Sequence, residues 1–210
     1  MIWMLKGGPV MIPIVLGSVL GLAIIICKLW QLYRVRTDAG KFTESVISKV
    51  RLKRYDEAIE FCSRNAGYPL AATLKAGLEK RGLASHEIEK ALERAGNSQV
   101  KALEKHIGGL ISILGIEPLL GFLGTITGLI KAFMTWERAG SNITVSQLAA
   151  GIYEAMITTA AGLMVAVPFY LICNFIISRI KYISYELSDS SMQLVEALAE
   201  AKGAHDHDKR

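Results

Sequence analysis

Three apolar stretches, each close to the ~20 residues a helix needs to cross a hydrocarbon core, set the terms on which this chain can fold. They cover residues 10–30, 107–133 and 152–178. Inside lipid every backbone N–H and C=O must find a partner within the protein, so runs of this length become helices. Hydrophobic residues make up 51% of the 210, and mean hydropathy is +0.34, yet 20% of residues are charged. The charges gather between the first and second runs and after the third. The expected fold class is therefore an all-α membrane protein: three transmembrane helices with long helical extensions outside the bilayer.

The first run carries no charge before Lys28, whose stem can carry its ammonium to the headgroups. Trp30 and Tyr33 stand where an aromatic interface belt is expected. Only Lys6 precedes the run, and no small-residue cleavage site comes before Lys28-Leu29-Trp30, so it reads as a retained anchor. Basic flanks set the orientation. Arg34, Arg36, Lys41, Lys49, Arg51, Lys53 and Arg54 follow the first span, and Arg179 and Lys181 follow the third. The connection between the second and third offers Lys131 and Arg138. Positive flanks stay in the cytoplasm. This predicts an external N-terminus (1–9), a cytoplasmic domain (31–106), a short external loop (134–151) and a cytoplasmic helix and tail (179–210).

Apolar residues in Asp56–Cys62 and Leu70–Leu78 recur at helical spacing, and Gly67-Tyr68-Pro69 separates the two. Ser85 resembles an N-cap. The absence of proline between Ser85 and Pro118 predicts one helix running unbroken into the second span. Beyond the third span, Ile180, Ile183, Leu187, Leu194 and Leu198 predict a further helix. The basic residues of 31–106 alternate with Asp56, Glu57, Glu60, Glu87, Glu89 and Glu93, the pattern of a solvated face and not of a nucleic-acid surface. Cys27, Cys62 and Cys173 show no pairing or zinc spacing, and His205-Asp206-His207-Asp208 reads as a solvated tail, so no metal or cofactor is expected.

Ionisable groups at lipid depth are expensive and usually face a protein interior or a water path. Glu117 and Glu154 are the two candidates. Thr125, Thr158 and Thr159 add hydroxyls to the same two spans, and spacing places Thr158 near the face of Glu154 with Thr159 turned away. Gly121, Gly124 and Gly128 in the second span and Gly162 in the third are small-residue packing positions. In the third span Gly151, Ala155 and Thr159 make one small stripe and Thr158, Gly162 and Ala166 another. Two stripes predict packing against two neighbours, as in a closed oligomer.

The segment from Glu117 to Gly128 (EPLLGFLGTITG), followed by Ala132-Phe133, resembles the second-helix signature of the MotA/TolQ/ExbB proton channel family, ExbB/TolQ branch. Glu154–Leu163 (EAMITTAAGL), with Val165–Pro168 and Asn174, is similar to its third-helix signature. Three spans favour this branch over the four of the MotA type. The resemblance implies a homopentameric ring in the bacterial inner membrane, its external side periplasmic. The ring would surround the single-span helices of an ExbD- or TolR-like partner that carries the proton-binding aspartate, and the whole would act on a TonB- or TolA-like protein. By position, Thr125 and Thr159 match the pore threonines and Glu154 the third-helix glutamate. Glu117 departs from the family pattern, which more often has a small residue there.

Other classes predict different behaviour. A non-conducting scaffold or adaptor would tolerate substitution at Thr125, Glu154 and Thr159. A secondary transporter is disfavoured by three spans without repeats. An enzyme is disfavoured because the spans hold no nucleophile–base pair or His-Glu-x-x-His motif.

Overall fold

The computed structural model describes residues 7–35, 38–140 and 144–207. Lys6, Arg36 and Asp208 lie outside the described residues, as do the side chains of His205, Asp206 and His207. Seven α-helices carry the described fold, and no strand occurs among those residues. They are α1 (Met11–Arg34), α2 (Ala39–Arg51), α3 (Tyr55–Arg64), α4 (Pro69–Glu79), α5 (Ser85–Glu104), α6 (Ile107–Ala139) and α7 (Val145–His207). Three stretches are long and apolar enough to cross a membrane, within Met11–Arg34, Ser85–Ala139 and Leu148–Ala201.

The chain divides into two units, Met1–Leu29 with His106–Phe175, and Trp30–Lys105 with Ile176–Arg210. In the first unit, α1, α6 and the first half of α7 turn large apolar side chains outward. Leu16, Val19, Leu119, Phe122, Met164 and Leu171 are each at least 60% exposed. An apolar surface this extensive is covered in a stable protein, by lipid or by other apolar surfaces. The interior of this unit sets Ile14, Ile25, Leu110 and Phe169 beside several buried glycines.

The second unit has the opposite pattern, a conventional core under a charged surface. α2 buries Phe42, Thr43, Val46 and Val50, and α4 buries Leu70, Leu74 and Leu78. α5 contributes Ile88 and Leu92, and the second half of α7 contributes Ile176, Ile180, Ile183, Leu187 and Leu194. Phe42 stacks on Phe61 at 5.0 Å between ring centroids. Asp38 caps α2 by accepting from the Lys41 N–H at 3.3 Å, and Pro69 opens α4 at a position that needs no N–H partner. Deep in the core the Thr43 hydroxyl donates to Ser190 Oγ at 2.8 Å.

Four sequence expectations change. The helix from Ser85 does not run unbroken: α5 ends at Glu104, and His106 adopts left-handed backbone (φ 69°) before α6 begins. A residue other than glycine takes that conformation, and the nearest breaker signal, Gly108-Gly109, lies inside α6 and not at the break. Ser85 is the first helical residue and caps nothing; the N-cap is Ala84. Lys28 is buried, at 4% exposure, where a snorkelling side chain was expected. Helix also reaches into the stretch 134–151 read as a loop, since α6 continues to Ala139 and α7 starts at Val145.

Candidate functional site

Glycine lets α6 and α7 approach until backbone meets backbone. A Cβ added to Gly128 would lie 2.8 Å from the Ala155 nitrogen, and one on Gly162 would lie 2.7 Å from the Glu117 carbonyl oxygen. Gly124 faces the Thr158 side chain, Gly121 the backbone of Thr158 and Thr159, and Gly151 faces Ala132. Lipid gives no hydrophobic drive for two apolar helices to associate, so close van der Waals contact of this kind holds them. Within the protomer, members of both small stripes of the third span are used on α6. Residues 151, 155, 158 and 162 follow one another at four, three and four positions, which is a single helical face, and α6 occupies it.

This contact sorts the candidate hydroxyls. Thr158 is completely buried against Gly124, and its hydroxyl turns back to the Ala155 carbonyl at 2.9 Å and the Glu154 carbonyl at 3.2 Å. Thr125 and Thr159 sit at the edge of the contact, half-buried, with their hydroxyls against each other. Both also reach one acceptor, the Gly121 carbonyl, at 3.2 Å from Thr125 and 3.0 Å from Thr159. Two hydroxyl protons thus serve three contacts, and each oxygen keeps lone-pair capacity for an outside donor. The surrounding wall is apolar: Phe122, Ile126, Met156 and Leu163 are all exposed around the pair.

Glu154 lies on α7 about one turn before the threonines and is not solitary. Its Oε1 is 2.5 Å from Lys131 Nζ on α6, with the glutamate side chain 20% exposed and the lysine 50%. Gly8 backs the same oxygen. Its backbone is left-handed (φ +67°), and a Cβ there would come within 2.0 Å of Oε1. Glycine is thus required twice over at position 8, by conformation and by space. Sequence reasoning treated Lys131 only as a charge of the external connection. The signal that could have found it was a lysine two residues before the end of the second span (107–133), with Glu154 two residues after the start of the third (152–178).

Glu117 is placed apart from these residues. It is 2% exposed, its Oε1 lies against the Cα of Gly17 on α1, and its Oε2 has no hydrogen-bond partner. The structure therefore brings Thr125 and Thr159 together, pairs Glu154 with Lys131, and encloses Thr158 and Glu117.

Residues 65–189 match the model of the MotA/TolQ/ExbB proton channel family. The chain is 31% identical to an ExbB-like protein 1 of Synechocystis sp. over 176 residues, covering 83% of this chain and 69% of that one. It is 26% identical to the biopolymer transport protein ExbB of Salmonella typhimurium over 197 residues, covering 89% and 79%. With the Tol-Pal system protein TolQ of Haemophilus influenzae it shares 32% identity over 97 residues, covering 46% and 42%. The chain belongs to the MotA/TolQ/ExbB proton channel family.

Proposed function

We propose that this protein is the ring-forming, non-enzymatic subunit of an inner-membrane motor driven by the proton-motive force. In this reading the α6/α7 pairs of several copies, five in a pentamer, wall a central pore. An ExbD- or TolR-like single-span subunit occupies it, and the complex works on a TonB- or TolA-like envelope protein. The N-terminus lies in the periplasm and the polar helical unit in the cytoplasm.

The observation that carries this reading is the Thr125–Thr159 hydroxyl pair set in an otherwise apolar wall. A charged carboxylate passing such a wall is costly, and a protonated one is not. Hydroxyls with spare acceptor capacity offer a protonated partner carboxyl one favourable register. Protonation from the periplasm would let the partner helix settle there, and release toward the cytoplasm would drive it out. The membrane potential supplies about 2.3 kcal/mol per charge per 100 mV, with the pH difference added. Glu154, held by Lys131, would stand at the periplasmic mouth of this path.

The test is substitution with assembly monitored. T159A, T125A and E154A should each abolish energy-dependent output and proton flux while the complex with the single-span partner stays intact. Native mass measurement of that complex should return five copies of this chain. Normal flux in all three variants would remove the proposed roles and leave the scaffold alternative.

A further inference from the structure

Glu117 is an anomaly that the pore reading does not use. It lies in the middle of α6, directly before Pro118, and its carboxyl is directed into the contact with α1. Gly17 supplies the seat, since a Cβ on that residue would stand 2.1 Å from Oε1. The same Cβ would meet Ile113 at 3.9 Å, and one turn further along α1 a Cβ on Gly21 would meet Phe169 of α7 at 2.5 Å. The carboxyl is thus enclosed by a glycine backbone, an isoleucine and the approach of α7. Lipid or neighbouring subunits can only add to a burial that already leaves 2% exposure.

Among the described residues of α1, α6 and α7, no charge stands close enough along its helix to compensate an ionised carboxylate. The ionisable residues of α1 nearest to Gly17 are Cys27 and Lys28, and Lys28 is about 16 Å along the helix. On α7, Glu154 and Tyr170 are each about 12 Å along the helix from Gly162, with Tyr153 and Cys173 further off. On α6 itself, His106 and Lys131 are about 16 and 21 Å away. Among the described residues no three acids, histidines or cysteines group as metal ligands, so the cation that suits a lone carboxyl here is a proton. A proton also turns one oxygen from an acceptor without a partner into a hydroxyl able to donate.

We propose that Glu117 is an internal proton-binding site that clasps α1 to α6: with its proton bound the carboxyl stays seated on Gly17, and when the proton leaves, α1 must move aside to admit water. The inference rests on the motor reading only for its purpose. It places a second proton inside each protomer, away from the threonine pair, at a joint between helices.

Infrared difference spectra of the full-length protein in lipid nanodiscs, between mildly acid and mildly alkaline pH, test it. The wild type should show the C=O stretch of a protonated carboxyl that disappears on alkalinisation. E117Q should lack that band, and E154Q should retain it. Amide exchange along α1, corrected for intrinsic rates, should rise several-fold on alkalinisation in the wild type and stay flat in E117Q. A wild type without the band, or a band surviving in E117Q, overturns the site; a band with pH-independent exchange along α1 overturns the clasp. Should E117Q fail to fold, dicyclohexylcarbodiimide, an apolar reagent for protonated carboxyls, decides the question on the wild type. An adduct on Glu117 supports the site and an unmodified Glu117 overturns it. Loss of the threonine phenotypes would leave these signatures untouched, and their absence would leave the phenotypes, so the two readings fail separately.

Discussion

At the scale of single residues, what matters is whether each buried polar atom has a partner. Thr43 and Ser190 satisfy one another inside the polar unit's core. T43V keeps the shape of the side chain but strands the serine oxygen, which should cost about 1–3 kcal/mol of stability. T43V/S190A removes both partners and should recover most of that loss, a sign reversal that thermal unfolding of the purified protein would record. Cys62 gives a second prediction at this scale. Burial pushes its thiol up to about 11, with Lys75 pulling weakly the other way. At about pH 8 roughly one such thiol in a thousand is ionised, and the thiolate is the reactive form. Mass spectrometry should find Cys62 unalkylated in the native protein under conditions that label it fully after denaturation. The sequence disclosed these residues unequally. Thr125 and Thr159 stood out through their motifs, but their meeting across 34 positions is a product of helix packing that no spacing rule contains. Glu117 was conspicuous as an acid in an apolar run, whereas its seat on Gly17 depended on α1, far away in the chain.

At the scale of elements, the long apolar runs made the spans legible, because lipid leaves a chain of that composition no alternative to helix. Their ends were less legible. Lys105-His106 contains no proline or glycine, yet the break between α5 and α6 falls there, with His106 in a conformation that L-residues adopt at a cost of roughly 1–2 kcal/mol. H106G should therefore stabilise the protein, and thermal unfolding in detergent would show it. Pro168 does not end α7, although proline usually breaks a helix interior. The glycines of α6 divide by their surroundings. G128A puts a methyl within 2.8–3.0 Å of the Ala155 backbone and should destabilise by about 1–3 kcal/mol. G115A meets open space, and its better helix propensity should make it neutral or stabilising by up to about 1 kcal/mol. The same unfolding measurement separates the two.

At the scale of the whole molecule, the contrast between the units accounts for the composition that first marked the chain. One unit presents apolar side chains outward and keeps glycines within; the other keeps apolar side chains within and charges outward. The proposed orientation predicts labelling from opposite sides. In a background without native cysteines, P9C should react with an impermeant maleimide added to intact spheroplasts, and S85C should react only after lysis. The reverse pattern would overturn the topology drawn from the basic flanks.

Ordinarily two helices are separated by a layer of side chains that can change rotamer and let one slide on the other. Between α6 and α7 glycine has removed that layer over much of the contact. With nothing compliant in the seam, neither helix can twist without carrying the other. In the proposed motor, work done on the threonine-bearing edge would be carried by the pair as a single stiff blade, and the give would lie at the blade's margins.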